Sequence, residues 1–352
     1  MEDLNKLTEL VIKEGASDLH ISENRNPYIR VAGQLVPLLK YPKFTKALME
    51  DIVKEVLSDS KKTIFKSTHS ADFSYTHDGE RFRAHVYLEQ QKICMTFRHV
   101  PKKIQSFPEL NLPSSLEYFA KLKSGFFLVT GPTGHGKSTT LASMIETINN
   151  ERLENIITIE DPIEYLFTAN KSVIHQREIG MDTPDFATAL RNCFRADVNV
   201  IMVGEMRDAD TISTAVSAAE TGHLVFSTLH TNSAAQTVDR IIDSFTANQQ
   251  IQIRIQLASS LSGIFSQRLI PRISGGLIPA YELLINNTAV SNLIRDKRTH
   301  ELDMVIETSS QEGMITLNRS LVNLVKKNQI SLENAELYSI NPSELRILIE
   351  RS

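Results

Sequence analysis

The chain has 352 residues, 41% of them hydrophobic and 23% charged, with a formal net charge of −4, the balance of a soluble protein with core enough for two ordinary domains. A net acidic chain has no global basic field, which argues against nucleic acid as a partner. Cys94 and Cys193 stand far apart without a CxxC pair, so a disulfide framework or cysteine-rich zinc site is not expected and a reducing, cytosolic compartment is.

The opening MEDLNKLTELVIKEG lacks the basic start and apolar core of a signal peptide. It places Leu4, Leu7, Leu10 and Val11 on one helical face, with Gly15 as C-terminal cap. Short strands are expected at 18–21, 28–31 and 35–38, then a helix near 44–57. Asp78-Gly79 should turn a hairpin between 72–75 and 81–89. Residues 1–100 therefore read as a small α+β domain. Residues 101–113, with three prolines and two lysines, read as an interdomain linker. From 114 to 352 the pattern becomes apolar strand, loop and helix in turn, with strands at 126–130, 156–159, 198–203 and 224–227. This alternation predicts a parallel sheet covered by helices, and beyond about Pro279 a closing helical section. No segment approaches the roughly 20 apolar residues that a membrane-spanning helix needs.

Gly131, Pro132, Thr133, Gly134, His135, Gly136, Lys137 and Ser138 satisfy G-x-x-x-x-G-K-[ST] between the strand FFLVT and the helical TTLASMIETI. Glycines let the backbone curl so that successive N–H groups face a phosphate at the positive end of a helix. In this pattern Lys137 reaches the β- and γ-phosphates of ATP, Ser138 supplies a hydroxyl to Mg²⁺, and Thr139 assists at the α-phosphate.

The apolar strand 198–203 ends in Gly204-Glu205, delivering a carboxylate to the edge of the sheet where a P-loop ligand lies. Gly204 stands where an aspartate often precedes the glutamate. Glu205 can orient the attacking water, or it can be a surface glutamate that ends a strand. Glu160, Asp161 and Glu164 follow the strand IITI, a position suited to water and Mg²⁺ contacts and equally to an acidic turn. His230 lies beyond the strand LVFSTL, within reach of a γ-phosphate, whereas His223 precedes it and reads as structural; their spacing matches no common metal pattern.

Together GPTGHGKS, ITIEDPIE, VIMVGEMRD and TGHLVFSTLHT resemble the secretion-ATPase superfamily, and within it most closely the type IV pilus retraction ATPases. The resemblance runs nearly end to end. It implies a PAS-like N-terminal domain, carried by GASDLHIS and PYIRVAGQLVPL, before a RecA-like P-loop ATPase domain with C-terminal helices. It also implies a homohexamer with nucleotide sites between subunits, cytoplasmic and peripheral at the inner face of the inner membrane. Its partners would be an inner-membrane pilus platform protein and a paralogous pilus ATPase. By the same correspondence Lys137 and Ser138 belong to Walker A, Glu160 to Glu164 to the Asp box, Glu205 to Walker B, and His223 and His230 to the His box.

Arg81 and Arg83 share a strand face and Arg98 lies in the following strand; they read as solvated strand residues or, by the resemblance, as arginines acting on a neighbouring subunit's nucleotide. Two segments depart from the family pattern: in the glycine loop His135 stands where serine is usual, and in AVSNLIRD, the segment similar to a retraction motif, Val290 and Ser291 stand for Ile and Arg. A pilus-extension or type II secretion ATPase usually has a longer N-terminal region and a tetracysteine module. A type IV secretion ATPase, an accessory subunit of another pilus motor and a RecA-like DNA motor are the alternatives.

Overall fold

The computed structural model describes residues 2–31, 33–100 and 102–350. The chain forms two compact units: one holds the residues up to Lys103 together with Glu160–Phe167 and Arg177–Pro184, and the other holds Ile104–Ile159, Thr168–Gln176 and the residues from Asp185 onward. Two short segments from the stretch read as one ATPase domain thus belong to the first unit.

In the first unit α1 (Glu2–Lys13) precedes β1 (Asp18–Ser22), β2 (Tyr28–Val31) and β3 (Gln34–Pro37). Then follow α2 (Lys46–Val56), α3 (Asp59–Thr68), β4 (Ser70–His77), β5 (Glu80–Glu89) and β6 (Lys92–Val100). The six strands form a sheet in the order β3-β2-β1-β6-β5-β4, with every neighbouring pair antiparallel. Leu4, Leu7 and Val11 recur at helical spacing and are fully buried, as are Ile52 of α2 and Phe82, Val86 and Phe97 of the sheet. Gly15 follows α1 with φ +60°, where a Cβ would be strained. Asp78 and Gly79 both take positive φ, the turn that matches the right-handed twist of a two-residue hairpin. Helix α3 has no counterpart in the sequence reading. None of its residues is buried, so it has no apolar stripe to betray it; Ser58 caps its first turn by accepting from the Lys61 N–H.

The second unit begins with α4 (Leu116–Ala120), β7 (Gly125–Thr130), α5 (Lys137–Glu151), β8 (Asn155–Glu160) and β9 (Val173–Glu178), of which the strand-end residues Glu160, Arg177 and Glu178 belong to the first unit. It continues with α6 (Phe186–Cys193), β10 (Val200–Val203), α7 (Ala209–Glu220), β11 (Leu224–Leu229), α8 (Ala234–Asp243) and α9 (Ala247–Ser260). The hairpin β12 (Leu261–Pro271) and β13 (Leu277–Ile285) leads into α10 (Thr288–Arg295), α11 (Leu302–Thr308), α12 (Leu317–Lys326), α13 (Leu332–Tyr338) and α14 (Pro342–Glu350). The sheet order is β13-β12-β7-β11-β10-β8-β9, parallel from β12 to β8, with β13 antiparallel at one edge. Its central strands are buried along their whole length, which is why they read as continuous apolar runs. The hairpin β12–β13 has no clear signal in the sequence, because β12 carries buried Ser266 and Gln267 in its middle and β13 carries buried Glu282.

Glu282 is itself an uncommon core residue. It accepts the Ala234 N–H at the first residue of α8 at 2.7 Å. Burial pushes its carboxyl up to about 7, against the pull of that N–H; Asp303 pushes further up, and Arg268 acts downward. A pKa raised in the folded chain favours folding below the unfolded value near 4.5 and loses that contribution as pH rises through about 7. Glu282→Gln cannot ionise, so between pH 5 and 8 it should gain on the wild-type chain by on the order of 3 kcal/mol in urea denaturation. Identical pH profiles for the two proteins would refute the buried charge.

Candidate nucleotide site

Strand β7 ends at Thr130 and the chain turns at once into Gly131 with φ +139°. A Cβ there would lie 2.2 Å from the Gln267 carbonyl oxygen of β12, so only glycine lets the loop leave the sheet this close to its neighbour. The loop 131–136 closes at Gly136, the N-cap of α5.

Lys137, the first residue of α5, is only 7% exposed. Its Nζ donates to the Gly131 and Pro132 carbonyls at 2.8 and 2.9 Å, and to His230 Nδ1 at 3.3 Å. Thr133 Oγ1 also lies 3.3 Å from His230 Nδ1. An Nδ1 that accepts from an ammonium places the neutral ring's proton on Nε2, which lies 3.6 Å from Glu205 Oε2. Glu205 follows β10, and its other oxygen pairs with Arg207, a residue the sequence reading did not single out although it sits in the same VGEMRD stretch. Parallel pairing brings this about: Val203 of β10 is in register with Ser227 of β11, and β11 lies beside β7, so the ends of three strands deliver glutamate, histidine and loop together. His223 lies elsewhere: its N–H and Nδ1 both bond the Ala218 carbonyl at the end of α7. Ser138 and Thr139 are half-buried in the first turn of α5.

His135 does more than lend its backbone to the loop. Its carbonyl accepts from Gln267 Nε2 and its Nδ1 accepts from the Leu269 N–H, both at 2.9 Å. Burial, with Arg268 and Lys137 nearby, holds its pKa below the ordinary histidine value.

Glu160 and Glu164 belong to the first unit, where Glu160 is buried and accepts the Glu164 N–H at 3.2 Å. Glu164 pairs with Arg83 at 3.2 Å. Arg98 stands opposite Arg83 in the β5–β6 ladder and binds Asp18 at 2.8 Å, with 70% of its side chain exposed. Like charges directly across a ladder repel, and each of these arginines has its own carboxylate partner. Arg81 is different. It pairs with Glu178, a buried carboxylate that also accepts from Ser74 Oγ and the Ile163 N–H. Replacing Arg81 by methionine strands that carboxylate, and should cost about 3–5 kcal/mol in denaturant unfolding. Unchanged stability with lost hydrolysis would instead make Arg81 a catalytic group.

In the C-terminal section Val290 is fully buried, and Ser291 Oγ donates to the Ala258 carbonyl at 2.9 Å. The departure at 290–291 therefore docks α10 on the end of α9. Among the described residues, no group of three His, Cys, Asp or Glu side chains is gathered to hold a metal ion. Mg²⁺ at a phosphate site needs only one or two protein oxygens with substrate and water, which Ser138 can supply.

A parallel strand, a glycine loop closing on a helix that begins with a buried lysine, and a carboxylate and histidine at the neighbouring strand ends define the P-loop nucleoside-triphosphate-binding class. The type II/IV secretion system protein model matches residues 91–335. The type IV pilus retraction ATPase PilT of Pseudomonas aeruginosa is 41% identical over 334 residues, 95% of this chain and 97% of that protein. The twitching motility protein of Neisseria gonorrhoeae is 41% identical over 91% of this chain and 86% of its own length. The crystal structure of the pilus retraction motor PilT with bound ADP superposes with a TM-score of 0.89 at 44% identity, covering 97% of this chain and 98% of that one. The chain belongs to the type II/IV secretion system protein family.

Proposed function

We propose that the chain is an ATP-hydrolysing motor that powers retraction of a type IV pilus. The observation that carries this is the Lys137–His230–Glu205 arrangement at the glycine loop, in a chain similar over nearly its whole length to pilus retraction ATPases. In this reading Lys137 and the loop from Gly131 to Gly136 hold the β- and γ-phosphates and Thr139 contacts the α-phosphate. Ser138 holds Mg²⁺, which supplies charge neutralisation at the phosphates. Glu205 orients the attacking water and His230 senses the γ-phosphate. Glu160 and Glu164 assist with water, and Arg83 and Arg98 act on a neighbouring subunit's nucleotide.

The working form is a homohexamer of chains, each with a PAS-like first unit, an ATPase domain from 114 onward and residues 101–113 as a hinge. It works in the cytoplasm at the inner face of the inner membrane, on a platform protein and beside a paralogous pilus ATPase. No helix among the described residues is long and apolar enough to cross a membrane, in keeping with a peripheral motor.

The test is a count of surface pili and of retraction events in cells whose only copy carries Lys137→Ala. Abundant pili that do not retract are expected. Loss of pili would point to an extension motor, and unchanged pili to a secretion system.

A further inference from the structure

Strand β12 contributes to the phosphate loop through a residue outside every motif named above. Ser266 of β12 pairs with Thr130, the last residue of β7, so Gln267 lies where β7 gives way to the loop. Its side chain is buried, 3% exposed overall, and both ends of its carboxamide are used. Nε2 donates to the His135 carbonyl at 2.9 Å, and Oε1 accepts from Thr140 Oγ1 at 2.6 Å. Two residues further on, the Leu269 N–H reaches His135 Nδ1 at 2.9 Å; the residue across the ladder from Leu269 is Pro279, in β13. The loop is thus held at His135 from two points of one strand, and tied through Gln267 to the first turn of α5.

A peptide unit is planar and trans, so its C=O and N–H point in opposite directions. With the His135 carbonyl drawn to Gln267, the Gly136 N–H of the same unit is aimed away from β12. A Cβ on Gly136 would come within 3.0 Å of Gln267 Nε2, which shows how closely the amide underlies the loop. The carboxamide suits this place because it must offer a donor to a carbonyl and an acceptor to a hydroxyl at once, in a pocket where an unmatched polar atom is costly.

We infer that Gln267 is a positioning residue that holds the His135–Gly136 peptide in the orientation that receives phosphate, before nucleotide arrives. This rests on reading the loop as a nucleotide site.

The experiment is titration of the purified full-length chain with a fluorescent ADP analogue in the presence of Mg²⁺, beside steady-state ATP hydrolysis and melting temperature. Gln267→Met removes both hydrogen bonds at similar volume. Gln267→Glu keeps the acceptor for Thr140 and loses the donor to His135, and Thr140→Val removes the other partner. Gln267→Met and Gln267→Glu should each weaken ADP binding about tenfold and raise the KM for ATP to match, with kcat changed less than about threefold. Thr140→Val added to Gln267→Met should bring no further loss, since both act through one amide. Should Gln267→Met fail to fold, Gln267→Glu and Thr140→Val carry the same readout. Wild-type affinity in a folded Gln267→Glu would overturn the inference while leaving the nucleotide reading intact, provided that the wild-type chain binds the analogue and Lys137→Ala does not. A wild-type chain that does not bind it would overturn both.

Discussion

Lys137→Ala should lower ATP hydrolysis by about 10²–10³-fold or more, read as phosphate release by the assembled protein. The reason lies in where the ammonium sits. It is buried at the start of α5 and bonded to two loop carbonyls and to His230, so it is already desolvated and aimed at the interior of the loop. A fixed positive charge in a site shielded from water acts on the charge that develops during phosphoryl transfer far more strongly than a mobile surface lysine could. Alanine removes that charge and releases His230 from the bond that sets its tautomer, so binding and turnover should both suffer. Hydrolysis at the wild-type rate in this variant would remove the glycine loop from the mechanism.

Glu205→Gln should separate the two effects. Glutamine keeps the shape of the side chain and an oxygen for Arg207, but not the carboxylate that orients water and faces His230 Nε2. Hydrolysis should fall by about 10²–10⁴-fold while affinity for a fluorescent ADP analogue stays near that of the wild-type chain. A variant that binds and still turns over would transfer the water-orienting role to another carboxylate, and Glu164→Gln would then be the variant to measure. A variant that loses binding as well would make Glu205 part of the phosphate cradle.

Elements whose signals are local are legible in the chain before it folds. The glycine loop is legible because phosphate binding demands glycines and a lysine at set spacing, and the central parallel strands because burial on both faces leaves nothing but apolar residues. Helix α1 and the Asp78-Gly79 hairpin are legible for similar reasons, a repeating apolar stripe and a turn that needs positive φ. Glu205 and His230 could be named because each follows such a strand. Pairings between residues distant in sequence appear only in the folded chain. Folding joins Arg81 to Glu178 across 97 positions, and gives Arg83 and Arg98 a carboxylate each within the first unit. It also brings Gln267 under the phosphate loop 132 positions before it. A buried polar residue in a strand gives no periodic signal, since it is tolerated only where a matching donor and acceptor wait, and those are supplied by the fold and not by its neighbours in the chain.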